Sequence, residues 1–582
     1  MESLLLDKMK IAKILLIWPA IELKIDRDSR TRFAVESVRF PLGIGYLAAY
    51  LEQELEVEVQ ILDMVAESPE SEIIGDELHI GMRNEEVEDR IRAFEPDMVG
   101  ISQMFSYLEP VCKDLFRITK SISPKIVTVW GGTHPTTVPR ETLSCPDVDY
   151  IVLGEGEAPL KELVERLSAG QSPKGMKSIG YCDENGEMVI CDERSWIEDL
   201  DHHVLPAWHK VDMDKYLNTT KAANMITSRG CPFSCTFCTA PTMYQKRFMA
   251  RSPKNVVEEM EILIEEYGVK EFIFQDENVT FNMDRIEAVA DLIIEKKLDV
   301  NWYAEVGVLI SRLNERLIHK LAKSGYSELR LPVESGDAEI LHKMKKPLNL
   351  TKVQPIVDAA RSEGLKVVSF LLLGLPGETE ENMRTTAAFA KEVGFDWNSI
   401  SLILPFPGTE IYRDMIKQGK IIDYVDLEKY ASPVDGTSDL PADQLIDLRV
   451  ELNDMLNFEQ SYNLTKGNIY VAIDYFKELS LRYPSLVKMH HFLGLAKYKV
   501  CDPHGALESF RRAAGIESEK YNSVDWVQSL ESHFKNPSSA DTYLPEELEN
   551  RLGYTYGHTS REVKETSKPL VQRRHVAGLM EI

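Results

Sequence analysis

The sequence predicts an α/β protein in three parts: an N-terminal doubly wound parallel sheet, a central (β/α) series forming a partial TIM-type barrel, and an α-helical C-terminal domain. Three observations carry this reading. Apolar runs alternate with helical periodicity from residue 11 to about 170, the pattern of parallel strands joined by helical crossovers. A second strand-then-helix series occupies about 216–430, and beyond 430 strand signals fade while helical periodicity persists. At 582 residues the chain is too long for one core, and its hydrophobic fraction of 43% can fill several.

In the first part, residues 1–175, the strand candidates are IAKILLIW, VEVQILDM, DMVGISQM, KIVTVWGG and DYIVLGEG. Ligands of such sheets lie outside the carboxyl ends of the strands, so the loops that follow them are the candidate site. These are Ser102 with Gln103, then Gly131, Gly132 and Thr133 with His134 behind them, then Gly154, Glu155 and Gly156. Glycine lets a backbone approach a ligand closely, and it also simply makes turns. Both readings stand at this point. Residues 176–215 read as a linker with a hairpin-like turn at Asp183–Gly186, and His202, His203 and His209 read as surface-loop residues outside the site.

The central series, residues 216–430, continues with FIFQDENVTF, NWYAEVGV, LRLPVESG, VVSFLLLGLPGE and WNSISLILPFPG, separated by helical segments such as SPKNVVEEMEILIEEYG. Barrel sites form at the C-terminal strand ends. Two polar clusters fall there: Gln275, Asp276, Glu277 and Asn278, and Glu334, Ser335 and Gly336. In the tail, residues 431–582, Ala472 and Phe476 recur as Ala506 and Phe510 at a tetratricopeptide-type spacing, with the repeat at about 468–515. One full repeat and a partial one do not stand alone, so the tail is expected to pack on the barrel, either as a stabilising cap or as a surface for a protein partner. The stretch 555–582 shows little apolar periodicity.

Three of the eight cysteines, Cys231, Cys235 and Cys238, sit in SRGCPFSCTFCTAP. Thiolates at this spacing can hold three irons of a four-iron cubane and leave the fourth iron open. A structural zinc site wants a fourth protein ligand, and no second CxxC follows; three buried thiols as small hydrophobes are the remaining alternative. The CxxxCxxC spacing, with Phe237 before the last cysteine and the strand AANMITSR before the first, resembles the signature of the radical S-adenosylmethionine enzymes. The resemblance implies a 4Fe-4S cluster on those cysteines and S-adenosyl-L-methionine chelated by the open iron. It further implies a 5′-deoxyadenosyl radical formed with an electron from an external donor such as flavodoxin or ferredoxin. It makes Phe237 a cofactor-site residue and Glu334 the ribose-contacting acid. Ser335 then helps to hold the carboxylate, and Glu277 lies near the amino group. Family members often carry glycine where this chain has Pro332.

PLGIGYLAAYLE, WGGTHPT and LGEGE, with the loops at Ser102, Gly131 and Gly154, resemble the cobalamin-binding domain found beside that motif. The first-strand loop, WPAIELKIDRDSRTRF, lacks the histidine of the DxHxxG pattern, which implies cobalamin without histidine ligation. Over about residues 10–430 the chain thus resembles the cobalamin-dependent radical S-adenosylmethionine enzymes. The commonest implied reaction is methylation of an unreactive carbon, the adenosyl radical removing a hydrogen and methylcobalamin supplying the methyl group. Alternatives are oxidative cyclisation, ring contraction or carbon–carbon coupling with the same cofactors, and a non-catalytic iron–sulfur scaffold or partner-docking protein. Cys112 and Cys145 do not supply the extra triad of a methylthiotransferase.

A net charge of −27 argues against general binding to nucleic acid or anionic membranes, which needs clustered Lys and Arg. The other five cysteines are scattered, as suits a reducing cytoplasm. No apolar run approaches the ~18 residues of a membrane span, and the N-terminus lacks a signal-peptide pattern. The expected substrate is a small molecule, a lipid or a peptide.

Overall fold

The computed structural model describes residues 10–24, 38–74, 77–217, 221–421, 435–516, 521 and 523–535. The expected boundary at 430, most of the first-strand loop and the stretch 555–582 lie outside the described residues.

Seven strands form the N-terminal sheet: β1 (Lys13–Trp18), β2 (Glu58–Asp63), β3 (Met98–Ser102), β4 (Val127–Gly131), β5 (Tyr150–Val152), β6 (Ile179–Cys182) and β7 (Met188–Cys191), in the order β7-β6-β5-β4-β3-β1-β2. The first five are parallel, and β1 pairs with β2 on one side (Lys13 opposite Glu58) and β3 on the other (Ile14 opposite Met98). Winding therefore reverses beside β1. A crevice opens at such a switch point, outside the carboxyl ends of the strands.

Two helix layers sandwich this sheet, which is why its strands read as near-continuous apolar runs. Ile44 and Leu51 of α1 (Leu42–Glu54) pack with Leu160 and Leu163 of α4 (Glu157–Ser168) over one face. The other face meets α2 (Asn84–Phe94) and α3 (Glu109–Ile122) through Ile91, Leu115 and Phe116.

The stretch expected to be a linker differs. Its hairpin, turned by Asp183 accepting the N–H groups of Asn185 and Glu187 at 2.9 Å each, adds β6 and β7 as antiparallel edge strands. The sheet thus runs past residue 175. A small antiparallel sheet of Ile21–Lys24, Ser71–Ile74 and Glu77–Ile80 was not expected either.

Six parallel strands follow: β8 (Ala222–Met225), β9 (Glu271–Phe274), β10 (Asn301–Ala304), β11 (Glu328–Glu334), β12 (Lys366–Leu373) and β13 (Trp397–Leu402). They form two sheets, β8-β9-β10 and β11-β12-β13, linked by a parallel bridge between Trp302 and Tyr326. Sheet order follows chain order, so the connecting helices lie on one side. Among these are α5 (Pro253–Tyr267), α6 (Met283–Glu295), α7 (Glu315–Lys323), α8 (Val353–Ser362) and α9 (Glu380–Val393). Local chemistry sets their ends: Ser252 caps α5 by accepting from Asn255 N, Pro253 opens it, and Gly268 closes it at φ +67°.

Among the remaining helices, α10 (Glu410–Lys417) packs beside the cysteine segment, the Ile411 N–H reaching the Thr236 carbonyl at 3.1 Å. Helices α11 (Ala442–Asp454), α12 (Ile469–Arg482), α13 (Val487–Lys499), α14 (Pro503–Gly515) and α15 (Ser523–Lys535) make up the C-terminal region. Ala472, Phe476, Ala506 and Phe510 are all buried in its core. This region does pack on the strands. Trp397 of β13 stacks on Tyr475 of α12 at 5.6 Å, and the Asn457 amide donates to the Asn398 carbonyl at 2.7 Å while accepting its N–H at 2.8 Å. Among the described residues no helix is long and apolar enough to cross a membrane.

Candidate functional site

The cysteine loop leaves a two-residue strand, Ser228–Arg229, through Gly230. Gly230 has φ +84°, and a Cβ there would stand 2.3 Å from the Arg247 carbonyl oxygen, so the turn into Cys231 requires glycine. Its N–H donates to Glu277 Oε2 at 3.0 Å, which ties the loop to the end of β9. Asp276 is fully buried and accepts from Thr227 N at 2.8 Å and Thr227 Oγ1 at 2.6 Å. It holds the backbone that feeds the loop. Gln275 donates to Glu305 Oε2 at 2.5 Å.

Each sulfur has a neighbour of its own. Asn278 Nδ2 donates toward Cys231 Sγ at 3.8 Å, the Cys235 thiol points at the Lys345 carbonyl at 3.9 Å, and Ala240 N donates to Cys238 Sγ at 3.4 Å. Burial pushes the Cys238 thiol up to about 12. Among the described residues no three His, Cys, Asp or Glu side chains converge on one metal-ion position. Phe237 is half-buried against the apolar cluster of Leu341, Leu375 and Ile411.

Glu334 ends β11 at a break in register between Pro332 and Glu334, and its backbone is left-handed at φ +65°. The residue is thus turned out of the strand run, two residues after Pro332. Its carboxylate accepts from Lys346 Nζ at 2.9 Å. Burial depresses Lys346, but Glu334 and the nearby Cys235 more than offset it, so the ammonium is held above its ordinary range. Lys346 was not singled out by the sequence. Ser335 is fully buried; its hydroxyl meets Thr386 Oγ1 at 3.1 Å and accepts Asp337 N at 3.1 Å, which fixes the turn after Glu334.

The switch-point crevice is a slot of about 920 Å³, counting its open mouth. Leu16, Gly100, Val129 and Val152 form its sheet wall, and Gly43, Leu47 and Leu160 its helix wall. Ser102, Gly131, Gly132, Gly154, Glu155 and Gly156 line it. A Cβ on Gly43 or Gly131 would meet nothing within 4 Å, so these glycines keep the slot clear. Gln103 and Thr133 are not among the lining residues; Gln103 is buried with its amide on the Phe105 carbonyl at 2.8 Å. Gly132, at φ +104°, lets this backbone close, since a Cβ there would sit 2.3 Å from Gln103 O. His134 is fully buried, bonded to Ser106 Oγ at 3.0 Å, and lies outside the lining; burial holds its pKa down to about 3.

The far wall of the slot comes from the second strand series, through Ile226, Arg229, Met243 and Tyr244. Arg229 Nη1 donates to Glu155 Oε1 at 3.0 Å and Nη2 to Glu157 Oε1 at 2.8 Å, and the guanidinium lies 5.0 Å over the Tyr46 ring. Glu155 Oε2 also accepts Ile197 N at 2.9 Å. Glu155 therefore borders the slot with its carboxylate already committed. Burial raises Glu155; Glu157 is buried too, but Arg229 and His203 hold it down to about 2. His203, set aside in the sequence, contacts Glu157 at 3.3 Å and stacks on Tyr46. Arg194 stands behind Gly154, its Nη1 3.7 Å from the Cβ position of that residue. It pairs with Asp192 at 2.6 Å, while its Nε and Nη1 make no hydrogen bond among the described residues.

The chain matches the Radical SAM superfamily over residues 225–390 and the B12 binding domain over residues 32–164. It is 32% identical over 421 residues to cytidylyl-2-hydroxyethylphosphonate methyltransferase of Streptomyces wedmorensis, covering 65% of this chain and 78% of that protein. An uncharacterized methyltransferase of Pyrococcus horikoshii is also 32% identical, over 71% of this chain and 85% of its own length. The fold is similar to that of the radical S-adenosylmethionine methyltransferase TsrM of Kitasatospora setae, solved with cobalamin and a [4Fe-4S] cluster bound. That likeness has a TM-score of 0.57 at 16% identity and covers 87% of this chain and 99% of that one.

Proposed function

The chain belongs to the cobalamin-dependent radical S-adenosylmethionine enzymes, and from that membership we infer that it is a methyltransferase acting on an unactivated carbon, with Cys231, Cys235 and Cys238 holding its 4Fe-4S cluster. One observation carries the reading. The cysteine loop and the glycine-lined slot are joined through Arg229, which supports reading them as two cofactor sites with one wall in common.

The residues present fit both groups. The slot is kept clear by Gly43 and Gly131, and the buried cation Arg194 behind Gly154 suits the phosphate of a nucleotide tail. Ser102, Gly132, Gly154 and Gly156 would border that tail, while Gln103 and Thr133 shape the loops from behind. The corrin is read as bound without histidine ligation because the first-strand loop carries no DxHxxG histidine. At the other site Glu334 would accept the ribose hydroxyls, Lys346 beside it would meet the carboxylate, and Glu277 and Asn278 would flank the amino group. Ser335 fixes the turn after Glu334, and its part in holding the carboxylate is read from that position. Phe237 backs the cluster loop with apolar packing.

When bound, the cluster and S-adenosyl-L-methionine supply a radical that removes hydrogen, and cobalamin supplies the methyl group. The chain's own part is to hold both groups against one substrate and to keep water away. We read the six central strands as a partial (β/α) barrel with its site at the C-terminal strand ends, and the helices over about 468–515 as tetratricopeptide-like. The division proposed is a slot domain extended through the hairpin at 179–191, the barrel, and the helical region, which offers a surface to a protein partner. A small-molecule substrate and an external reductant, flavodoxin or ferredoxin, complete the system.

The test is anaerobic reconstitution with iron, sulfide and cobalamin, followed by reduction in the presence of S-adenosyl-L-methionine. Formation of 5′-deoxyadenosine by protein carrying bound corrin is the expected result, and a product heavier by one methyl separates methylation from cyclisation. Protein that takes up zinc in place of iron and sulfide would refute the reading.

A further inference from the structure

Three observations meet at Arg229. Its guanidinium is buried and forked between Glu155 and Glu157, which flank the slot-lining Gly156. Its backbone lies in the short antiparallel ladder with Met249 and Ala250, so it cannot swing without breaking that pairing. Two residues on is Cys231, whose Cα is within about 7 Å of that of Arg229 by chain length alone. Between them Gly230 is itself fixed by Glu277. A rigid path of two residues therefore runs from the slot loop to the first thiol.

A buried ion cluster is weak grounds for stability, because desolvation opposes the Coulombic gain; its best-attested use is to set register. Guanidinium suits that use, since its planar fork fixes direction as well as distance, which an ammonium does not. Glu157 is further steered by His203, and His203 by its stacking on Tyr46, which also faces Arg229. Each member is held from two sides.

We propose that Arg229 is a positioning residue that sets the spacing between the corrin in the slot and the cluster on the cysteine loop. The proposal rests on the cofactor assignment above and deepens it. Arg229 acts indirectly, through Glu155 and Glu157 on one side and through Gly230 on the other. Spacing matters here because both groups must address one substrate, and misplacement by about 1 Å can cost a hundredfold in rate.

The experiment is pulsed electron paramagnetic resonance on the protein loaded with both cofactors, measuring the distance distribution between cob(II)alamin and the reduced cluster. Wild type is expected to give one narrow distribution. In protein that retains both cofactors, checked by iron and corrin analysis of the same sample, Arg229→Gln is expected to broaden it at least about twofold. Arg229→Lys should fall between the two. An unchanged distribution in Arg229→Gln with both cofactors kept overturns the proposal. Should that variant lose a cofactor, Glu157→Gln leaves the strand into the cysteine loop intact and carries the same expectation and the same refutation. Wild-type protein that binds no corrin counts against the cofactor assignment instead. The clasp is then read by hydrogen exchange, where Arg229→Gln should deprotect residues 154–157 and 229–231 together, and deprotection of one side alone overturns it.

Discussion

Arg229 Nη2 meets Glu157 Oε1 at 2.8 Å across 72 residues of chain. One partner opens the segment that carries the thiols, and the other opens the helix that floors the slot. The contact makes two apparently separate modules into neighbours with a common wall.

Gly43 lies in α1 with open space where a side chain would be. Gly43→Leu should fill the slot and reduce corrin affinity more than about a hundredfold, while helix propensity favours the fold by about 1 kcal/mol. Equilibrium binding and a thermal melt on the same sample check this; undiminished corrin binding would place the cofactor elsewhere.

Cys235→Ala should remove the iron–sulfur absorbance and abolish 5′-deoxyadenosine formation, because a cluster on three thiolates cannot spare one. Corrin uptake should survive, since Cys235 does not border the slot. Anaerobic reconstitution followed by iron and sulfide analysis decides the matter, and 5′-deoxyadenosine at the wild-type level would refute the ligand assignment.

Glu334→Ala leaves Lys346 without its 2.9 Å partner and removes the proposed ribose acceptor. Loss of a charge-assisted hydrogen bond is worth about 1.5–3 kcal/mol, so affinity for S-adenosyl-L-methionine should fall about ten- to a hundredfold. Dialysis equilibrium on cluster-loaded protein measures it, and an unaltered constant would remove Glu334 from the site.

Arg194 is a buried cation with two unpaired donors among the described residues, next to a slot glycine. Arg194→Met should weaken cobalamin and cobinamide phosphate about tenfold and leave cobinamide, which has no phosphate, unchanged. Equal loss for all three would mean that Arg194 only supports the loop.

His491 tests the helical region. Burial holds it down to about 3, whereas in an unfolded chain a histidine takes its proton near pH ~6.5. Between those values the unfolded state carries the additional proton, so stability falls as pH falls through that window, by up to about 1.4 kcal/mol per unit. Hydrogen exchange in α13 from pH 7 to 5 should show this, with a shallower slope in His491→Gln; equal slopes would mean that another group controls the region.

What the sequence disclosed was local. The thiol spacing, the strand alternation and the glycines after β4 and β5 are each legible within a few residues. The partners of the site were not, because distance along the chain hides them: Asn278 reaches Cys231 over 47 positions, and Cys235 meets Lys345 over 110. The Ser335 hydroxyl likewise meets Thr386, 51 residues on. The hairpin at β6 and β7 passed for a linker because its strands are four residues each and β7 is largely exposed, so neither shows a strong apolar run.

Glu334 carries a side chain in a backbone conformation that glycine or asparagine adopts more readily, at a cost of about 1 kcal/mol. That makes position 334 a place where heat resistance and turnover pull against each other. A library of variants selected only for surviving high temperature should drift toward asparagine there, and one selected for product should return to glutamate.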